Sequence, residues 1–210
     1  MTLRDYLNAM PVVAILRGLS PDEAVDVAAV LVAAGIRIIE VPLNSPDPFV
    51  SINRIAVAHG DTCLVGAGTV LRAEDIDRVA DAGGRLVVAP NFNVAVVSRA
   101  RTLGMISAPG VRTPTEAFAA LDAGADGLKL FPAEIIPPKA VRAMRAVLPT
   151  DTIVLAVGGI GADNMTAYRD AGVDGFGVGS SLYKPGMTID DIGARARALV
   201  AEALSQPADA

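Results

Sequence analysis

The sequence predicts an α/β fold, a (β/α)8 TIM barrel with a short helix at its N-terminus. A strand-like apolar run followed by a helix-like stretch recurs eight times, at a spacing of about 20–25 residues. Hydrophobic residues make up 52% of the 210 residues and aromatic residues only 4%, a composition typical of parallel strands covered by alanine-rich helices. Because this composition does not change along the chain, we expect one barrel domain over residues 1–210, with a frayed tail at 205–210.

The individual elements follow from apolar runs and from their boundary signals. An N-terminal helix over residues 2–10 is predicted to close the bottom of the barrel. The predicted strands are 12–16, 36–41, 63–67, 86–89, 105–108, 127–131, 153–157 and 175–178. The predicted helices are 21–34, 48–58, 73–82, 93–103, 114–123, 138–147, 163–171 and 188–204. Ser20-Pro21-Asp22-Glu23 starts the first of these with a cap, a proline and a glutamate in their preferred places.

An open, doubly wound sheet is the structural alternative. Such a sheet normally carries a glycine fingerprint after its first strand, and Arg17-Gly18-Leu19-Ser20 is not one. Eight even units therefore favour a closed barrel.

Charge and cysteine content limit the classes of function. A net charge of −5 with interspersed acidic and basic residues argues against a nucleic-acid-binding surface and favours a small-molecule ligand. The single cysteine, Cys63, cannot form an internal disulfide. We find no signal peptide, membrane-spanning run or lipidation motif, so we expect a cytoplasmic protein with no membrane partner.

Lys129 is the first candidate catalytic residue, because it interrupts the apolar run 127–131. Burial lowers the pKa of a lysine toward the range in which the free amine attacks carbonyl groups. Lys129 is thus a candidate Schiff-base nucleophile. The alternative is a lysine at a strand end that extends into water. The other two lysines, Lys139 and Lys184, lie in segments that we expect to be solvated.

In a barrel of this type the residues that follow the strands form a ring around the active site. Glu40 is the only carboxylate of that ring, and a buried carboxylate there suits proton transfer near neutral pH. Arg17 can form a bidentate contact with a substrate carboxylate. Glu40 could instead pair with Arg17 or Lys129 for structural reasons, and Arg17 could be a surface residue.

The same ring argues against a metal site and for a phosphate site. Glu40 alone is too few oxygen ligands for a divalent cation, and His59, the only histidine, ends a helix on the opposite face. We therefore expect neither a metal nor a cofactor. Gly158-Gly159 and Gly179-Ser180 follow the last two strands, where backbone amides and a short following helix can bind an anion.

These residues are similar to those of a known family. The similar segments are Ile15–Gly18, 39–46, 66–70, 109–116, 128–134 and 156–160. Over nearly its whole length the chain resembles the 2-keto-3-deoxy-6-phosphogluconate and 6-phosphogalactonate aldolases, which are class I aldolases of the (β/α)8 type. The resemblance implies a Schiff-base lysine at Lys129, a general acid/base at Glu40, a pyruvate pocket at Thr69 and Pro90 with Phe131 as its wall, and phosphate loops at Gly158, Gly159, Gly179 and Ser180.

Two departures from the phosphogluconate pattern indicate the branch of this family. Val157 replaces the threonine that precedes the two glycines, and Asn44 stands where an arginine is common, a role that Arg17 takes over. This pattern resembles the galactonate branch. It implies reversible cleavage of 2-dehydro-3-deoxy-6-phosphogalactonate to pyruvate and glyceraldehyde 3-phosphate by a homotrimer.

Three other activities remain open at this point. Cleavage of the gluconate epimer, or of both epimers, fits the same pocket. A phosphosugar isomerase or epimerase uses the same barrel without an imine-forming lysine. A non-catalytic phosphosugar-binding protein would have no use for Glu40 and Lys129.

Overall fold

Strands and helices alternate along residues 1–205, the part of the chain described by the computed structural model. The strands are β1 (Val12–Ile15), β2 (Ile38–Pro42), β3 (Leu64–Gly68), β4 (Leu86–Val88), β5 (Ile106–Ala108), β6 (Gly110–Val111), β7 (Leu128–Leu130), β8 (Val154–Val157) and β9 (Gly175–Val178). The α-helices are α1 (Leu3–Ala9), α2 (Ala24–Ala33), α3 (Pro48–His59), α4 (Glu74–Asp81), α5 (Val94–Thr102), α6 (Pro114–Asp122), α7 (Pro138–Arg145), α8 (Met165–Arg169) and α9 (Ile189–Leu204). A 3-10 helix, Ala133–Ile135, follows β7.

The strands form one parallel sheet whose two ends meet. Its order is β5-β4-β3-β2-β1-β9-β8-β7-β6, so the first and last members are β5 and β6. β5 lies within the predicted strand 105–108, whereas β6 lies beyond its predicted end, after Pro109, which has no N–H to donate to a ladder. The Lys129 N–H donates to the Pro109 carbonyl at 2.9 Å, so β7 is joined to this break as well. The predicted barrel is confirmed, with its fifth strand divided in two.

Alternation along the strands separates two apolar clusters. Outward side chains such as Ala14 and Ile39 pack beneath the helices, whereas inward side chains such as Val13 and Leu155 fill the barrel. α1 closes the amino ends of the strands, because its Leu3, Tyr6 and Leu7 belong to the inner cluster. The predicted N-terminal helix is therefore confirmed. The opposite, carboxyl ends of the strands are left for the site.

One helix boundary differs from the predictions by more than two residues. The first predicted barrel helix, 21–34, begins only at Ala24, and residues 21–23 form a turn. Ser20 and Glu23 nevertheless make the expected capping contact, because the Ser20 N–H and Oγ both donate to Glu23 Oε1 at 3.0 Å. The other seven predicted helices agree with α3 to α9 within two residues at each end.

Two features of the chain ends complete the description. The Ser205 N–H donates to the Glu202 carbonyl at 3.2 Å after α9. The rest of the predicted frayed tail, 206–210, lies outside the described residues. Within residues 1–205, none of the helices combines the length and the apolar character that crossing a membrane requires.

Candidate active site

Lys129 lies in the interior of the barrel, on β7 between its partners Gly110 and Leu155. Its side chain is buried, with only 5% exposed, and Nζ stands 4.7 Å from the centroid of the Phe131 ring. Burial lowers the pKa of Lys129, and the charge of Arg17 adds to this effect while Glu40 opposes it. A buried amine with a lowered pKa is a nucleophile, and this burial does not fit a lysine that extends into water.

Glu40 is also buried, in the middle of β2. Only 1% of the residue is exposed, and its Oε2 accepts no hydrogen bond from the described residues. Burial raises the pKa of Glu40 to about 7, against the charges of Lys129 and Arg17, which lower it. The carboxyl can therefore exchange a proton near neutral pH. Within residues 1–205, Glu40 takes part in none of the ion pairs. This disfavours a purely structural pairing of Glu40 with Arg17 or Lys129.

The end of β3 makes room for this carboxyl. A Cβ atom on Gly68 would lie 1.8 Å from Glu40 Oε2, so glycine is required at position 68. The next residue, Thr69, has a φ of +54°, which is rare for a β-branched side chain. In this conformation Thr69 Oγ1 accepts a hydrogen bond from Arg17 Nη2 at 3.5 Å. Backbone strain of this kind is concentrated at functional sites.

Arg17 is held by two side chains predicted for the site. Its Nη1 donates to Asn44 Oδ1 at 2.6 Å, in addition to the contact with Thr69. Asn44 therefore does not take the role of the missing arginine itself. Its side chain instead orients Arg17, which follows β1. Arg17 lines a cavity at the carboxyl ends of the strands, where the planar donors of its guanidinium group suit a carboxylate.

A cavity of about 500 Å³ opens at the carboxyl ends of the strands. Eight of the twelve predicted site residues line it: Arg17, Lys129, Phe131, Val157, Gly158, Gly159, Gly179 and Ser180. The other four, Glu40, Asn44, Thr69 and Pro90, do not. Glu40 acts on Lys129 through its charge, and Asn44 and Thr69 contact Arg17, whereas Pro90 packs with its carbonyl against Gly110.

Two glycine-rich turns form one end of this cavity. Gly158 and Gly159 have φ values of +104° and +65°. Within residues 1–205, the N–H groups of Gly159, Ser180 and Ser181 donate to no protein acceptor, so they can bind an anion. The prediction of a short helix directly after β9 is wrong. That segment is a single turn, in which the N–H groups of Leu182 and Tyr183 donate to the Gly179 carbonyl. The next helix, α9, begins only at Ile189.

Nine residues that line the cavity were not predicted as site residues, and four of them have polar or ionisable side chains: Glu134, Ser181, Tyr183 and Lys184. Lys184 is exposed, as expected, and it also lines the cavity, because the loop after β9 folds back, with Pro185 Cγ 2.8 Å from the Cβ position of Gly18. Glu134 covers the Gly158-Gly159 turn, since Cβ atoms there would lie 2.7 Å and 2.5 Å from its side chain. The sequence signal for Glu134 was its place at the end of the segment 128–134. No pattern marks the other three.

Possible metal ligands do not cluster within residues 1–205. No three His, Cys, Asp or Glu side chains lie close enough together there to hold a metal ion. His59 ends α3 and directly precedes the amino end of β3, away from the cavity, as predicted.

Comparison with known proteins gives consistent similarities. Residues 3–195 match the family described as KDPG and KHG aldolase. A probable 2-dehydro-3-deoxy-6-phosphogalactonate aldolase of Rhizobium meliloti is 52% identical over 191 residues, which cover 91% of this chain and 90% of the relative. The 2-dehydro-3-deoxy-6-phosphogalactonate aldolase of Escherichia coli is 45% identical over 195 residues, covering 93% and 95%. A solved structure described as native KDPGal superposes with a TM-score of 0.91 at 44% identity, covering 92% of this chain and 94% of the other.

Proposed function

The chain belongs to the KDPG and KHG aldolase family, and we propose that it cleaves 2-dehydro-3-deoxy-6-phosphogalactonate reversibly to pyruvate and glyceraldehyde 3-phosphate. It is an aldolase, a carbon–carbon lyase. The observation that carries the mechanism is the pair of buried groups, Lys129 and Glu40, whose pKa values are shifted toward neutrality from opposite sides. Such a pair supplies a nucleophile and a proton-transfer group at the same place.

The chemistry begins at the C2 carbonyl of the substrate. Neutral Lys129 adds to this carbon, and uptake of one proton with loss of water gives a protonated imine. Glu40, directly or through a water, accepts the proton of the C4 hydroxyl. The C3–C4 bond then breaks, and its electron pair moves into the imine to form an enamine. Glyceraldehyde 3-phosphate leaves, Glu40 returns a proton to C3, and hydrolysis of the imine releases pyruvate and restores the amine.

Binding of the two anionic ends orients the substrate between these groups. We assign the substrate carboxylate to Arg17, with Thr69 and Pro90 completing the pyruvate pocket and Phe131 as its wall. The phosphate is assigned to Gly158, Gly159, Gly179 and Ser180. These assignments are supported by the residues that line the cavity, which include Arg17, Lys129 and residues of both glycine-rich turns; Pro90 does not line it. Holding both ends makes the reaction effectively unimolecular.

The choice between epimers is assigned to Val157 and Asn44. Val157 lines the cavity beside Gly158, and valine cannot donate a hydrogen bond to a sugar hydroxyl as threonine can. We therefore expect the galactonate epimer to be the better substrate. The test is to measure kcat/KM for the galactonate and gluconate epimers side by side, from the rate of pyruvate release. A higher value for the gluconate epimer would reverse the assignment, and equal values would mean a dual-epimer enzyme.

Two other functions on the same barrel make different predictions. An isomerase or epimerase would interconvert phosphosugars without releasing pyruvate and would not form an imine. A phosphosugar-binding protein would bind the substrate but leave it intact. Buried Lys129 disfavours both, because neither function requires a desolvated amine.

We also propose that the enzyme is a cytoplasmic homotrimer. A reduced, buried thiol such as Cys63 is ordinary in the cytoplasm. Large apolar side chains are exposed on neighbouring helices, including Val94 on α5 and Phe118 on α6, and a partner subunit would cover them. Light scattering at micromolar concentration should give the mass of three chains. The mass of one chain would contradict the proposal.

A further inference from the structure

Tyr183 is a buried tyrosine whose hydroxyl joins two loops at the rim of the cavity. Its Oη donates to Glu23 Oε1 at 3.0 Å, and only 3% of the residue is exposed. Burial, together with the hydrogen bond and charge of Glu23, raises the pKa of Tyr183 well above its usual range, so the phenol remains a donor. The proposed chemistry does not use this contact, which we call the Glu23–Tyr183 clasp.

The clasp is fixed at both of its ends. On one side, Glu23 Oε1 also accepts hydrogen bonds from Ser20 N–H and Oγ. On the other side, Tyr183 N–H donates to the Gly179 carbonyl at 3.0 Å, in the same turn as Ser180. Movement of either residue would therefore carry its loop with it.

The two loops carry the groups that we assigned to opposite ends of the substrate. The loop after β1 begins with Arg17, the proposed carboxylate ligand, and the loop after β9 contains Ser180, a proposed phosphate ligand. Both side chains line the same cavity. A second contact between these loops is the packing of Pro185 against Gly18.

We infer that the Glu23–Tyr183 clasp holds the turn that contains Ser180 in its phosphate-binding form and at a fixed separation from Arg17, so that the cavity selects substrates with a phosphate and a carboxylate at that separation. Tyr183 and Glu23 are positioning residues in this role, which rests on the proposed function. Pyruvate has no phosphate and does not need this turn. Its binding and its imine formation at Lys129 should therefore not depend on the clasp.

The variant Tyr183→Phe removes only the hydroxyl. For the phosphorylated substrate we expect KM to rise about tenfold with kcat within about twofold, the size typical of a lost hydrogen bond to a charged acceptor. The inhibition constant of inorganic phosphate should rise by a similar factor. The rate of pyruvate trapping by borohydride should be unchanged.

Changes at Glu23 test whether the partner of the hydroxyl matters. Glu23→Ala should reproduce Tyr183→Phe, and the double variant should be no worse than either single one. Glu23→Gln should be close to wild type, because its amide oxygen can accept the same hydrogen bonds.

Tyr6→Phe is the matched control for a lost buried hydroxyl. Tyr6 is also 3% exposed, but its Oη accepts from Arg85, and Tyr6 lies in α1 at the amino ends of the strands. Its KM and phosphate inhibition should stay at the wild-type values, whatever the change in melting temperature.

The measurements on Tyr183→Phe distinguish a positioning role of the hydroxyl from a purely structural one. Unchanged KM and phosphate inhibition in this variant would overturn the inference. An equal loss of pyruvate trapping and of substrate binding would also overturn it, since the hydroxyl would then support the fold alone. If the wild-type protein cleaved neither epimer, the proposed function would fail. The role of the clasp could then still be tested by measuring the binding of inorganic phosphate by calorimetry. The inference requires Tyr183→Phe to bind phosphate more weakly than wild type, and equal binding would overturn it.

Discussion

Replacing Gly68 by alanine should displace the carboxyl of Glu40. The new Cβ would lie 1.8 Å from Oε2 and 2.3 Å from Cδ, whereas ordinary contacts begin at 3.4 Å, so the carboxyl must retreat by about 1.6 Å. A displacement of about 1 Å at a reacting group can reduce the rate about 100-fold. We therefore expect kcat for cleavage to fall at least about 100-fold. Overpacking of this kind costs about 1–3 kcal/mol of stability.

A double-mutant cycle with Glu40→Ala identifies the cause of these losses. Without the Glu40 carboxyl the alanine methyl at position 68 has space, so the stability cost of Gly68→Ala should largely disappear in the Glu40→Ala background. Cleavage in the double variant should be no slower than in Glu40→Ala. Gly104→Ala is the control, because its Cβ would meet no atom within 4 Å and only the strain of its φ of +66° remains.

Two assays measure this cycle, steady-state pyruvate release for cleavage and urea unfolding for stability. Gly104→Ala should be less stable than wild type, by about 1 kcal/mol, with normal activity. Wild-type activity in Gly68→Ala would refute the reasoning. So would a stability cost that is the same with and without Glu40.

The remaining predictions concern pH, specificity and metal dependence. Glu40 must be deprotonated to act as the base for the C4 hydroxyl, and burial raises its pKa to about 7. We therefore expect kcat/KM for cleavage to rise as the pH increases through about 7. This rise should be absent from the residual activity of Glu40→Gln. Val157→Thr should raise kcat/KM for the gluconate epimer about 2- to 12-fold more than for the galactonate epimer, whereas an equal change would mean that residue 157 only packs. Exhaustive treatment with EDTA should leave activity intact, because within residues 1–205 no three His, Cys, Asp or Glu side chains lie close enough together to hold a metal ion. Loss of activity with EDTA and its recovery with a divalent cation would contradict this prediction.

The parts of the fold that depend on local periodicity could be predicted from the sequence. Apolar runs bounded by glycines predict strands and helices because alternation and capping are local properties. Lys129 and Glu40 stood out for the same reason, as charged residues inside apolar runs. The break at Pro109 was missed because its effect depends on which neighbouring strands pair on either side of it. The start of α2 at Ala24 was also missed; the residue before it, Glu23, accepts a hydrogen bond from Tyr183, 160 residues later in the chain.

The loop residues of the site could not be predicted in this way. Lys184 reaches the cavity because Pro185 packs against Gly18, more than 160 residues earlier in the chain. Glu134 covers the Gly158-Gly159 turn through a contact between the ends of β7 and β8. Contacts of this range leave no periodic signal in a single sequence.

Trapping of the imine at Lys129 tests the proposed mechanism most directly. The purified protein is incubated with pyruvate and borohydride, digested, and analysed by mass spectrometry, with Lys129→Ala as the control. We predict a reduced three-carbon adduct on Lys129, unmodified Lys139 and Lys184, and loss of both adduct and cleavage in Lys129→Ala. An unmodified Lys129 in active protein, or wild-type cleavage by Lys129→Ala, would contradict the mechanism.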